Sequence, residues 1–119
     1  MSNARGLHLF SYGTLRQPQV QLSSFGRLLD GREDCLPGYW LSTVEITDPD
    51  VLAKSEVRYH PIAEKSADAS DEIAGMVFEI TQSELAAADD YEVSDYVRVL
   101  ARLKSGVEAW VYVRAGAAD

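Results

Sequence analysis

Two stretches of this 119-residue sequence combine residue types that could do chemistry. The first is Asp89-Asp90-Tyr91-Glu92-Val93-Ser94-Asp95, which sets four carboxylates within seven residues at the end of a predicted helix. Acids at a helix C-terminus oppose the helix dipole. A local rule broken in this way is a reasonable place to look for function or strain. Like charges at close range raise the proton affinity of one member, and so does partial burial beside an aromatic such as Tyr91. A carboxylate raised toward neutrality makes a better general base. On composition alone the same cluster reads as a solvated acidic helix end. The second stretch is Leu7-His8-Leu9-Phe10-Ser11-Tyr12-Gly13-Thr14-Leu15, a short apolar strand running into a Tyr-Gly-Thr turn. A strand that stops on glycine presents bare backbone N–H groups. Pro18 follows, suited to the first position of a helix, so partial positive charge gathers between strand end and helix start. That turn is fitted to hold a carboxylate or a carbonyl oxygen.

Other chemistries find less support. The acidic run lacks the spacing of a calcium loop and has no internal glycine to let it wrap. Two histidines, His8 and His60, and one cysteine give a zinc site little to build on. His8, inside the first strand, reads as a core or edge histidine with one hydrogen bond. Cys35 as a nucleophile has no base nominated for it. Ser11, Ser23 and Ser24 lack a nucleophile-elbow context, and no phosphate-binding glycine pattern occurs. What remains is general acid–base work by a carboxylate beside a backbone cradle. The formal charge of -8, without a Lys/Arg cluster longer than a pair, argues against nucleic acid or an anionic membrane as partner. A single cysteine fits a reducing compartment. No apolar run approaches spanning length, and Met1–Gly6 is too short and polar for a signal peptide, so the expected location is the cytoplasm.

The elements that must position these residues follow from periodicity and turn signals. Leu7–Tyr12 is apolar on both faces and reads as a central strand. Pro18–Leu29 places Leu22, Phe25 and Leu28/Leu29 on one helical face, with Asp30-Gly31 as its end. Arg32–Leu36 and Tyr39–Ile46 read as strands about the Pro37-Gly38 turn, and Thr47–Asp50 as another turn. Val51–Ile62 reads as an extended segment ended by Pro61, and Ala63–Asp71 as a mobile surface loop. Glu72–Ile80 is a strand with Ala74, Met76, Phe78 and Ile80 on one face; Gly75 within it signals a bulge or a close approach. Thr81-Gln82-Ser83-Glu84 is a capping box opening a helix to about Tyr91. Tyr96–Leu103 and Val107–Val113 form a hairpin about Lys104-Ser105-Gly106. Trp40 and Trp110 read as core or barrel-face residues. The sum is one α+β domain over residues 1–119 with a mainly β core, organised as a small closed or half-closed barrel.

Together the two stretches resemble one family. Phe10-Ser11-Tyr12-Gly13-Thr14-Leu15-Arg16 is similar to the opening Tyr-Gly-Thr-Leu signature of the γ-glutamylcyclotransferase-like proteins, which include the γ-glutamylamine cyclotransferases and the plant avirulence-induced proteins. Gly75–Ile80, Leu85, Asp89-Asp90-Tyr91-Glu92, Tyr96 and Arg98 resemble the family's second block, and Ala109–Val113 its closing strand. The resemblance implies a small mixed β-barrel with two main helices and a pocket at the end of the first strand. It implies cyclisation of a small γ-glutamyl substrate to 5-oxoproline with release of an amine and no cofactor. Tyr12, Gly13, Thr14 and Leu15 would form the substrate-binding loop and Glu92 would accept the proton. Leu36–Asp71 departs from the family's Gly-Pro-rich run and carries Tyr59-His60-Pro61 instead. The extra acidity about Asp95 would suit a cationic leaving group such as a polyamine or lysine side chain. Arg98 and Tyr112 stay open between structure and pocket lining. The competing reading is a non-catalytic binding module of the same fold that recognises a carboxylate-bearing ligand or protein.

Overall fold

A computed structural model describes residues 7–45, 49–50, 59–92 and 96–115. The elements run β1 (Leu7–Ser11), a 3-10 turn (Thr14–Arg16), α1 (Pro18–Phe25), β2 (Gly31–Pro37), β3 (Tyr39–Glu45), β4 (Tyr59–Lys65), β5 (Glu72–Ile80), α2 (Gln82–Tyr91), β6 (Tyr96–Arg102) and β7 (Glu108–Arg114). The strands make one seven-stranded sheet in the order β2-β5-β1-β7-β4-β3, with β6 also on β7. It is an open, barrel-like sheet, since β2 and β3 end the hydrogen-bonded path. The sheet bends far enough for the β6–β7 turn to reach β2, where Lys104 N–H donates to the Cys35 carbonyl (2.9 Å) and Ser105 Oγ to Asp34 (2.5 Å).

β1 lies centrally because both its faces are apolar. Leu9 belongs to the core under the helices, with Phe78, Ile80, Leu85 and Tyr91. Phe10 points to the opposite core, inside the bend, with Val77, Val111 and Val113. β5 is likewise two-faced: Phe78 and Ile80 join the helix-side core, Ile73 and Val77 the inner one, and Ala74 is exposed. Gly75 is a close approach of neighbouring backbone. A Cβ there would stand 2.5 Å from the Ser11 carbonyl oxygen and 2.7 Å from Phe10.

Several expectations change. α1 stops at Gly26, not at Asp30-Gly31, because Gly26 takes a left-handed conformation (φ 74°) and caps the helix through its N–H to Leu22 O. Two turns of helix cannot carry the expected stripe. Leu22 and Leu28 are more than half exposed, Phe25 packs against the helix-side core, Leu29 joins that core from beyond the helix, and Val20 and Gln21 are the buried positions of the helix itself. Ala63–Lys65 belong to β4 and Ala63 is fully buried, so the expected surface loop shrinks to a turn tied by its own side chains, Ser66 Oγ to Asp71 and Ser70 to Asp68. Thr47 and Asp48 of the predicted turn and most of Val51–Ile62 lie outside the described residues. The second helix opens as the sequence reads, with both capping-box hydrogen bonds present between Thr81 and Glu84. No helix of the described residues is long and apolar enough to cross a membrane.

One feature of the sheet positions the end of β1. β7 pairs along one edge with β6, but β1 and β4 share its other edge. β1 runs parallel to it at Leu9↔Trp110, and β4 parallel to it at Ala63↔Val113. β1 ends where β4 arrives, and Tyr12, the next residue, fills the junction. Its hydroxyl accepts from Ala63 N–H (2.9 Å) and donates to the Tyr112 carbonyl (2.5 Å). Pro61 fits this arrangement. Residues two apart on a strand send their N–H groups to the same edge, so Pro61 aims its missing donor at the side where β4 has parted from β7, and no ladder bond is lost. The strand therefore runs through Pro61 instead of ending there. Tyr12→Phe strands a buried N–H and a buried C=O together, and we expect it to cost about 1–3 kcal/mol of stability, measured by denaturant unfolding; a change under a few tenths would show that the hydroxyl joins nothing of consequence.

Candidate active site

The junction leaves a wedge at the carboxyl end of β1, and this wedge is a pocket. Its walls are Phe10, Ser11, Tyr12, Gly13 and Leu15 from β1 and the loop after it, Pro61 from β4, Tyr96 from β6, Tyr112 from β7, and Glu92. Tyr96 Oη donates to the Pro61 carbonyl (2.8 Å), which ties β6 to β4 across the pocket mouth. The enclosed part is small, about 20 Å³, room for one or two water-sized groups. It can take one end of a ligand, such as a carboxylate or an amine.

The loop owes its shape to glycine and the turn behind it. Arg16 N–H and Arg16 Nε both donate to the Gly13 carbonyl (3.2 and 3.1 Å), closing the 3-10 turn that Thr14 opens. Gly13 N–H donates to Ser11 Oγ (3.3 Å). The N–H groups of Thr14 and Leu15 precede the first hydrogen bond of the turn, so the turn itself offers them no acceptor.

Glu92 arrives from the other side. Helix α2 is fixed at its start by the capping box and by the Glu84–Arg27 pair (2.6 and 2.9 Å), which ties it to the chain just past α1. Ala88 and Tyr91 are buried against the sheet. Glu92 is where the chain leaves the helix: its φ and ψ are extended, while its N–H still donates to Ala88 O (3.1 Å). Burial, then the charge of Asp89 one turn earlier, push its carboxyl up to about 8. The negative end of the helix acts in the same direction.

The remaining titratable groups at the pocket are committed elsewhere. Tyr112 Oη donates to Asp89 (2.7 Å), and Arg98 stands 3.5 Å from the same carboxylate and 4.7 Å over the Trp110 ring. Desolvation drives both the Tyr12 and Tyr112 phenols far above their usual range, so both stay neutral and both give their protons to the framework. Glu92 is thus the pocket's group poised to exchange a proton near neutral pH.

Of the residues the sequence singles out, the structure brings Tyr12, Gly13, Leu15 and Glu92 to one pocket. Thr14 lies in the loop between them. Tyr112 lines the pocket, while Arg98 sits behind it and braces Asp89. Tyr12 lines it with its ring and spends its hydroxyl on the strand junction. Ser11, Tyr96 and Pro61 were not assigned to the pocket from sequence, although Pro61 falls in the stretch that departs from the family pattern. His8 lies at the far end of β1 beside Asp30 and Glu79. Cys35 lies on β2 outside the pocket, where desolvation and Glu72 push its thiol up. Asp95 is outside the described residues. Among those residues no group of three or more His, Cys, Asp or Glu side chains is arranged to hold a metal ion.

Fold and pocket together define a small α+β protein with an open barrel-like sheet and a carboxyl-bearing pocket at the end of its first strand. The family model described as gamma-glutamyl cyclotransferase, AIG2-like, matches residues 9–119, and the chain belongs to that family. Among solved structures, two Arabidopsis thaliana proteins studied in solution are similar. One has 23% identity and a TM-score of 0.72, covering 100% of this chain and 68% of its own. The other has 20% identity and a TM-score of 0.70, covering 99% and 74%. The crystal structure of an uncharacterized Pyrococcus horikoshii protein is similar at 20% identity and a TM-score of 0.65, covering 93% and 80%. These likenesses establish the fold. No curated protein matches the chain.

The raised proton affinity of Glu92 carries a stability signature. Its folded value of about 8 lies above the roughly 4.3 of an unfolded glutamate. The contribution is therefore fully present below pH of about 4.3 and is lost as pH rises through about 8. Glu92→Gln cannot ionise and escapes that loss. We expect the variant's Tm to gain on wild type steadily between about pH 5 and 8 and to level off above; parallel Tm curves would mean that Glu92 ionises as it does in the unfolded chain.

Proposed function

We propose that the protein cyclises a small γ-glutamyl amide, releasing 5-oxoproline and a free amine, with Glu92 as the proton acceptor and Tyr12–Leu15 as the loop that holds the glutamyl end. The observation that carries this reading is one cavity lined both by a carboxyl with a proton affinity of about 8 and by the Gly13–Leu15 loop. An α-amino group titrates at about 8 as well, so a proton passes between substrate and Glu92 with little free-energy difference. The empty site favours the protonated carboxyl at neutral pH, and an arriving α-ammonium draws it into the ionised form by opposite charge.

The steps balance within substrate and protein. The α-ammonium gives a proton to the Glu92 carboxylate. The freed nitrogen pair attacks the γ-carbonyl carbon, closing a five-membered ring and pushing the carbonyl electrons onto oxygen. Backbone N–H groups of the loop are suited to that oxyanion or to the substrate α-carboxylate. The carbonyl re-forms and the bond to the leaving nitrogen breaks as that nitrogen takes the first proton from Glu92; the ring nitrogen, which still carries two hydrogens, then gives its second proton to the freed Glu92 carboxylate, and the product amine takes that proton and leaves as an ammonium. The attack is intramolecular, so a folded pose of the bound substrate supplies much of the rate. The enclosed space takes one polar group of the glutamyl end, and the rest of the substrate, leaving group included, lies in the open part of the pocket.

The test is 5-oxoproline release from a panel of γ-glutamyl amines and γ-glutamyl amino acids. We expect wild type to release it from at least one member, with kcat/KM rising toward pH of about 8, and Glu92→Gln to lose roughly 10²–10⁴-fold in kcat. Full activity in the variant would remove Glu92 from the mechanism. Silence of wild type across the panel would favour a binding module for a carboxylate-bearing ligand.

A further inference from the structure

Gln21 is a buried uncharged polar side chain, 4% exposed, on a helix that contributes no residue to the pocket wall. Both ends of its amide are used. Nε2 donates to the Leu15 carbonyl (2.9 Å) and Oε1 accepts from Leu29 N–H (3.0 Å). A buried amide is costly unless paired, so one that is paired twice to backbone specifies a geometry.

Leu15 closes the loop that walls the pocket. The Leu29 end depends on the early stop of α1: in a continued helix Leu29 N–H would bond the Phe25 carbonyl. Gly26 ends the helix in a left-handed conformation, and Leu29 N–H is thereby free to reach Gln21. The short helix and the buried amide make one device. A trans peptide is a rigid plane, so pinning a carbonyl also sets the N–H that follows it. Arg16 pins the Gly13 carbonyl and Gln21 pins that of Leu15. Two peptide planes of the loop are held from outside the pocket, leaving the pocket side to a ligand.

We propose that Gln21 is a positioning residue that locks the Tyr12–Leu15 loop in its binding pose; its effect on catalysis rests on the cyclotransferase reading, and its effect on the loop does not. The test uses the full chain with Gln21→Met, which removes both hydrogen bonds at nearly constant length, and Gln21→Glu, which keeps the acceptor for Leu29 and, when ionised, removes the donor to Leu15. Amide hydrogen exchange is followed at Gly13 and Arg16, whose N–H groups are hydrogen-bonded in the loop, and in β5. We expect exchange at Gly13 and Arg16 to quicken roughly tenfold in both variants with β5 unchanged, and KM for the glutamyl substrate to rise while kcat moves much less. Unchanged exchange at both, or protection lost evenly across the chain, would overturn the proposal and leave Gln21 a general packing residue. A wild type inactive toward every γ-glutamyl compound would sink the cyclotransferase reading, while the exchange result would still decide the role of Gln21.

Discussion

The Tyr12 hydroxyl, bonded to Ala63 N–H on one side and to the Tyr112 carbonyl on the other, is the constraint on which this structure turns. β7 has one edge and two parallel partners for it, β1 and β4. They can share the edge only if one stops where the other begins, and the backbone groups at the handover need partners. A phenol on the first residue past β1 supplies them. The same handover opens the wedge that becomes the pocket. The pocket is therefore a by-product of sheet topology, and the residues lining it are held by the strand ladders, the turn after β1 and the end of α2. That gives the rigid setting an active site needs.

The electrostatics follow from the same geometry. Three phenols and a carboxyl share the wedge, and each phenol gives its proton to the framework, Tyr96 to the Pro61 carbonyl. Tyr12 gives its proton to backbone and Tyr112 gives its proton to Asp89. Asp89 is also braced by Arg98, so the acidic helix end is less a pool of like charges than a division of labour. One acid, Asp89, is hydrogen-bonded by Tyr112 and ion-paired with Arg98 and holds the wall. The other is desolvated beside it and keeps a proton to exchange. The helix dipole, which disfavours acids at this end, adds to the raised affinity of Glu92 instead of being an uncompensated cost.

Local signals in the sequence recovered what was locally encoded. The capping box fixed the start of α2, and with it the place where Glu92 leaves the helix. Gly75 marked a close backbone approach, and the two-sided apolar pattern of Leu7–Ser11 marked a central strand. The Tyr-Gly-Thr-Leu turn and the acidic run were both readable as chemistry-bearing stretches. What escaped was set by contacts remote in sequence. Gly26 reads as a weak point inside a helix until the buried Gln21–Leu29 bond shows why the helix stops there. Pro61 reads as a strand end until the parting of β4 from β7 shows that its missing N–H faces no ladder. Tyr96 enters the pocket wall through a bond to Pro61, 35 residues away, which no periodicity reports. Ala63–Lys65 looked like loop because three small or charged residues carry no strand signal, and it is pairing with β3 and β7 that makes them strand.

The central claim is that the wedge holds a carboxyl whose proton affinity matches an amine's. The most direct measurement is a carbon-13 NMR titration of the Glu92 side-chain carboxyl in the folded protein. The account predicts a single inflection near 8, well separated from the exposed acids. An inflection in the ordinary range of about 4 to 5 would contradict it, because Glu92 would then be a solvated surface acid and the wedge would hold no group able to take a proton from an amine.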